Sequence, residues 1–406
     1  MNVLVVGSGG REHALVWKLA QSRRAASLHA APGNPGIAGL ATCHPLRPDD
    51  PGALVALCRE LAVDLVVVGP EAPLVAGLGD ELRHAGIAVF GPSAAAAAVE
   101  GSKSFAKDVM RAAGVPTAAA LEEPRAPCVV KADGLAAGKG VFVCREDEDV
   151  APAVERALTL GDRVVVEELL EGEELSLFAL CDGAEALPLL PAQDFKRLHD
   201  GDEGPNTGGM GSYAPVPGVD RERVDEIVDA VHRPVLAELA RRGTPFQGLL
   251  YAGLMLTEDG LRVLEFNCRF GDPETQAILP LLEGDLLEAL AACASGSLAG
   301  VALAAAPGAA VTVVLAAPGY PESPETGVPV AGLAEAEDEG ALVFHAGTAV
   351  REGRLVSAGG RVLDVTALGP TVADARERAY RAVERVDFPG VQYRLDIALR
   401  AVHAAA

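Results

Sequence analysis

Glu265 and Asn267 stand two apart in the run VLEFNCRFGDPE, so a strand here would turn a carboxylate and an amide oxygen to one side. Hard oxygens of this kind suit Mg2+ or Mn2+, which complete their shells with water and substrate phosphates. Arg269 has the same parity, and if the strand persists it could clamp a carboxylate or an acyl phosphate. The competing reading is a structural salt-bridge cluster.

A second segment, Lys131–Val141 (KADGLAAGKGV), has the glycines and lysines of a phosphate grip. It is no P-loop: Gly134-x-x-x-Gly138-Lys139-Gly140 is one residue short, no hydroxyl follows the lysine, and an apolar strand comes next. A glycine loop between two strands suits a lid over phosphates, with Lys131 ending the first strand. An ordinary hairpin is the plain alternative. The opening turn, Gly7-Ser8-Gly9-Gly10 followed by Arg11, could offer backbone N–H groups to a phosphate. It lacks the third glycine of a dinucleotide fingerprint and could equally be a tight strand–helix connection. In EELLEGEE, Glu167, Glu168, Leu169 and Leu170 could form a backbone hinge for a purine edge, and Glu174 could take ribose hydroxyls; a solvated acidic face competes. The donors of QDFKR (Asp194, Arg197) and GPNTGGMG (Asn206) belong to a glycine-rich stretch that is either ordered by a ligand or a structural loop.

These groups need elements to hold them. NVLVV, LVVV and AVF are short apolar strands, each followed by a glycine turn, and alternate with helices up to about residue 100. That pattern predicts a doubly wound parallel sheet with ligands at the strands' carboxyl ends. Helices are expected at Arg11–Ala20, Ala94–Glu100 and Lys103–Ala113. Cys128–Lys131, Val141–Cys144, Val164–Glu168 and Leu175–Cys181 then predict one compact, largely antiparallel subdomain over about 116–182. A long helix Arg221–Arg241 should bury Ile227, Val228, Val231, Val235 and Leu239. Strands Gly248–Leu256 and Arg262–Asn267 and two further helices follow. From about 301 the chain reads as a β-rich C-terminal domain with one helix at Val372–Val386. The expected class is α/β (α+β overall), with domains at 1–100, 101–300 and 301–406.

Bulk composition narrows the function. Half of the 406 residues are apolar, enough for a large aliphatic core. A net charge of −23 argues against a general nucleic-acid surface, which needs clustered Lys and Arg. No run approaches the length of a membrane span, and Met1–Val6 lacks the basic start of a secretory leader. Seven scattered cysteines without a C-x-x-C pair fit a reducing, cytoplasmic setting.

Taken in order, VLVVGSGGREHAL, APGNPG, VVVGPEAPL, EGSKSFAKD, VVKADGLAAGKGV, EELLEGEE, QDFKR, GPNTGGMGSYAP, EFNCRFGDPETQ, FHAGT and GGRVLDVTALG resemble the ATP-grasp superfamily. Within it they resemble the phosphoribosylamine–glycine ligase family, almost end to end. The resemblance implies ATP-driven ligation of glycine to 5-phosphoribosylamine through a glycyl phosphate, in a monomer or weak oligomer. It also implies residue roles. Lys103, Lys131 and Lys139 would contact phosphates, and Glu167 to Leu170 would form the adenine hinge. Glu174, Arg197 and Asn206 would complete the nucleotide pocket, with Glu265 and Asn267 on the metal. Gly9, Gly10, Arg11 and Glu71 would face phosphoribosylamine, while Asp194, Arg269 and Asp272 orient glycine and the amine.

Three departures stand out. The stretch before Cys128 is short, so a helix of the small subdomain could be missing. The glycine loop F-G-x-A-G is absent between Val154 and Val164. LLYAGLML carries no second metal carboxylate. Rival readings are another ATP-grasp ligase, a nucleotide-binding regulator without turnover, and an NAD enzyme built on the first domain.

Overall fold

The computed structural model describes residues 1–136 and 138–404; Ala137 of the expected lid loop lies outside the described residues. The opening apolar run forms strand Asn2–Gly7 in a five-stranded parallel sheet. The order is Thr42–Cys43, Ser27–Pro32, Asn2–Gly7, Leu65–Val68, Val89–Phe90. Strand order reverses between Asn2–Gly7 and Leu65–Val68, and the turns beginning at Gly7 and Gly69 leave their carboxyl ends. That is the crevice where such sheets hold ligands.

Two helices lead out of this sheet. Ala94–Gly101 starts on Ser93, whose hydroxyl accepts from the Ala96 N–H, and Lys103–Ala113 starts on Ser102, which accepts from the Phe105 N–H. Each side-chain cap satisfies an otherwise orphaned donor of the first turn.

The lid is a three-stranded antiparallel sheet with Cys128–Ala132 between Val141–Cys144 and Val164–Glu168. A helix that the sequence reading did not anticipate, Asp147–Leu158, covers it with Val150, Ala153 and Ala157. Its apolar stripe has spacings of three and four, and its first turn is all acidic, as a helix N-terminus favours. The fourth strand expected here belongs elsewhere. Leu175–Cys181 is buried along its whole length, so it needs cover on both faces. It forms part of Glu173–Asp182 in a separate antiparallel sheet, ordered Ala186–Pro188, Glu173–Asp182, Gln247–Thr257, Gly260–Asn267.

The glycine-rich stretch that carries Asp194, Arg197 and Asn206 is mostly short strands. Gln193–Asp194 and Gly211–Ala214 join Ala309–Ala316, Arg361–Gly369 and Ala341–His345 in one antiparallel sheet. The C-terminal sheet is therefore completed by segments from the middle of the chain. Between them, Arg197–His199 and Glu203–Asn206 pair as a two-stranded hairpin. Among the described residues no helix is long and apolar enough to cross a membrane.

Candidate functional site

A cleft of about 940 Å3 opens where the lid, the sheet carrying Gly260–Asn267, the N-terminal turns and the C-terminal sheet meet. Its floor is set by strand parity: Glu265 and Asn267 both line it from Gly260–Asn267. Burial works to raise the Glu265 pKa, but Lys196, Lys131, Lys103 and Arg269 outweigh it and hold the carboxyl below its ordinary value. Asn267 Oδ1 accepts from Arg269 Nη2 at 3.3 Å, so Arg269 faces the same side although the strand has ended.

Lys131 is the penultimate residue of the central lid strand, and its ammonium lies 2.8 Å from Glu167 Oε2. The other Glu167 oxygen is 3.0 Å from Lys107, which also donates to Thr117 Oγ1 and the Ala118 carbonyl. All three side chains are nearly buried, at 9% exposure or less. The Glu167 carboxylate therefore holds two lysines and does not reach for a base. Glu167, Glu168, Leu169 and Leu170 all line the cleft. Lys107 was missed, although it lies four residues after Lys103 in KSFAK and so shares its helix face. Lys103 donates to the Gly134 carbonyl at 3.0 Å, and burial lowers its pKa. Asp133 joins the lid to this helix: its carboxylate accepts from Ser102 Oγ, Ser104 Oγ and the Ser104 N–H.

Lys139 is not brought to the cleft wall. Its ammonium donates to the Pro321 carbonyl of the C-terminal domain at 3.1 Å. Glu174 pairs with Lys196 at 2.5 Å, and Lys196 also lies 3.8 Å from Asp194. Burial pushes the Asp194 pKa up to about 7, against the attraction of Lys196. Asn206 reaches the Val141 carbonyl of the lid, and Arg197 donates to the Gly204 carbonyl of its own hairpin.

At the far end two arginines converge on Glu71. Arg269 Nε is 3.3 Å and Arg11 Nη1 4.0 Å from Glu71 Oε2, and Arg269 Nη2 is 3.3 Å from Glu100. Burial alone would raise the Glu71 pKa; Arg269 and Arg11 bring it below the ordinary value. Glu100 is pushed up by burial, and its carboxylate accepts the Cys268 N–H at 2.7 Å. Asp272 pairs with Arg361 at 3.0 Å, which brings a C-terminal cation to the cleft. The opening turn behaves differently from the expectation. The Gly9 N–H donates to Glu12 Oε2 at 2.6 Å, so it is already engaged. Gly10 backs onto another group: a β-carbon there would lie 1.8 Å from Asp364 Oδ2. Of that turn only Arg11 lines the cleft. Lys196, Glu100, Glu274 and Arg361 also line the cleft; each lies inside a block that carries the family resemblance, but its spacing there suggested no role.

Profiles of the phosphoribosylglycinamide synthetase N domain, ATP-grasp (A) domain and C domain match residues 1–100, 101–275 and 310–400. The chain belongs to the phosphoribosylglycinamide synthetase family. It is 54% identical to the phosphoribosylamine–glycine ligase of Streptomyces coelicolor over 420 aligned positions, covering all of both chains. A crystal structure of the Thermotoga maritima phosphoribosylamine–glycine ligase superposes with a TM-score of 0.83 at 34% identity, covering 98% of this chain and all of that one. The biotin carboxylase domain of Hydrogenobacter thermophilus 2-oxoglutarate carboxylase, solved with MgADP and bicarbonate, gives 0.71 at 17% identity over 97% and 91% of the chains. That likeness is one of fold alone. As a member of the phosphoribosylglycinamide synthetase family, the chain is an ATP-grasp ligase acting on small molecules.

Proposed function

We propose that this cleft joins glycine to 5-phosphoribosylamine at the expense of ATP, giving glycinamide ribonucleotide, ADP and phosphate for purine biosynthesis. The observation that carries the reading is the meeting of Glu265 and Asn267 with the cations Lys103, Lys131, Lys196 and Arg269 in one cleft of an ATP-grasp fold. A carboxylate is a poor electrophile, and phosphorylation by ATP gives it a good leaving group. The protein's part is then positioning and charge neutralisation.

The adenine edge is assigned to the backbone of Glu167 to Leu170, and the ribose to Glu174. Lys131 and Lys103 take phosphate oxygens, with Arg197 and Asn206 closing the pocket. The donors present fit a divalent cation. Glu265 stays ionised, Asn267 adds a neutral hard oxygen, and among the described residues no group of three His, Cys, Asp or Glu forms a complete protein cage. This suits Mg2+, or Mn2+ in its place, which would share its shell with phosphates and screen their charge. Arg269 is assigned to the glycine carboxylate, and Asp194 and Asp272 to the incoming amine. Arg11 and Glu71, at the switch point of the parallel sheet, face phosphoribosylamine; Gly9 and Gly10 shape that turn without lining the cleft. Lys139 contacts the ATP phosphates only if the lid moves it away from Pro321. A cytoplasmic setting is supported by seven free thiols, six of them buried; a monomer or weak oligomer is assigned on the family resemblance alone.

The test is ADP formation with glycine and freshly generated phosphoribosylamine, in the parent and in Glu265→Ala. Glycine-dependent turnover that the substitution abolishes is expected. Turnover without glycine would sink the reaction, and full activity in the variant would sink the metal assignment.

A further inference from the structure

The hairpin Arg197–His199/Glu203–Asn206 lies on the nucleotide side of the cleft, and among the described residues it pairs with no other strand. A two-stranded ribbon alone is marginal in water, so something else must fix it. The contacts point to one side chain. Arg394, near the end of the chain, is 1% exposed. Its Nε and Nη2 make a bidentate pair with Asp396, at 2.7 and 2.6 Å. Its Nη1 donates to Asp202 Oδ1 at 2.9 Å and to the Arg197 carbonyl at 3.1 Å. The guanidinium carbon also sits 4.9 Å from the Phe195 ring centroid. Asp396 accepts the Gly201 N–H, and Asp200 accepts the Leu395 N–H. One buried cation thus ties the hairpin tip, the backbone of Arg197 and the ring beside Lys196 to the C-terminal segment.

Burying a guanidinium is costly unless its donors are met, and the planar fork meets several partners at fixed angles in a way an ammonium does not. The residues on this frame, Phe195, Lys196, Arg197, Asp202 and Asn206, all line the cleft. Arg394 itself does not line it. We propose that Arg394 is a positioning residue for the nucleotide half of the site: the C-terminal segment sets ATP affinity by holding this hairpin in register. The proposal rests on the reading of the cleft as an ATP site.

The experiment compares the parent, Arg394→Lys and Asp202→Asn, well below their melting temperatures. Arg394→Lys keeps the charge and loses the fork. Asp202→Asn removes the negative charge shared by Arg394 and Arg400 but keeps an acceptor oxygen and the Arg394–Asp396 pair, and puts a residue tolerant of positive φ where φ is 58°. The readouts are steady-state KM for ATP, KM for glycine, and binding of a non-hydrolysable ATP analogue. Arg394→Lys should raise the ATP KM and weaken analogue binding by about tenfold, since small displacements of positioning groups are costly. The glycine KM should stay within about twofold, and Asp202→Asn should move the same way by less. A purely structural role would lower the melting temperature and leave the ratio of the two KM values unchanged; that result overturns the proposal. So does an unchanged ATP KM in both variants. If the parent fails to bind the analogue, the ATP reading falls first, and this inference with it.

Discussion

Glu167→Gln tests the lysine frame most sharply. In the parent, one buried carboxylate lies 3.0 Å from Lys107 and 2.8 Å from Lys131. The substitution preserves shape but takes from two nearly buried ammonium groups the carboxylate that they share. Removing one partner of a buried ion pair costs about 3–5 kcal/mol. Unfolding entropy of ~2.1 cal/mol/K per residue, over a cooperative unit of roughly 200–400 residues, converts this to a loss of about 4–12 °C in melting temperature. The damage should also reach function, because Lys131 loses the contact that aims it beside Glu265. An increase of about tenfold or more in ATP KM is expected, corresponding to at least ~1.4 kcal/mol. The double variant Glu167→Gln/Lys107→Met removes the surplus cation and should recover part of the lost stability, which a double-mutant cycle would show as coupling. Thermal melts and ATP titrations of the four proteins suffice. A Glu167→Gln protein with parental melting temperature and ATP KM would refute this account of Lys131.

Other outcomes follow from the same geometry. Asp364 is fully buried beside Asp272, and burial followed by that neighbour pushes its pKa up from 3.8 to about 7. The folded state therefore binds the proton more tightly than the unfolded state, so this group's contribution to stability falls as pH rises from about 4 to 7. Asp364→Asn should melt higher than the parent at pH 8, with the gap closing below pH 4; equal gaps at both pH values would contradict it. Gly10→Ala would push a methyl group into Asp364 and Gln276, whose contacts join all three domains, and should lower the melting temperature and the soluble yield. Lys139→Ala should change ATP KM by less than about threefold, because Lys139 meets a backbone carbonyl outside the cleft wall; a tenfold rise would instead show that the lid swings Lys139 onto the phosphates.

Local periodicity made much of the site readable. Glu265 and Asn267 share a face because a strand has a period of two, and the apolar stripe Ile227, Val228, Val231, Val235 and Leu239 is buried as helical spacing predicts. The parallel first sheet followed from apolar runs alternating with glycine turns. What local pattern could not supply was partnership across distance. Glu167 looks like one of a row of acids until the fold brings Lys107 and Lys131 to it. Arg361 and Arg394 reach the site or its frame from far along the chain. Leu175–Cys181 was grouped with its sequence neighbours, whereas burial on both faces sent it to a larger sheet. Gly211–Ala214 likewise completes a C-terminal sheet that begins about a hundred residues later.

Isotope transfer tests the central claim most directly. With glycine carrying 18O in both carboxylate oxygens and phosphoribosylamine as acceptor, one labelled oxygen should leave in the phosphate released. Phosphate without label, formed alongside ADP and product, would contradict ligation through an acyl phosphate in this cleft.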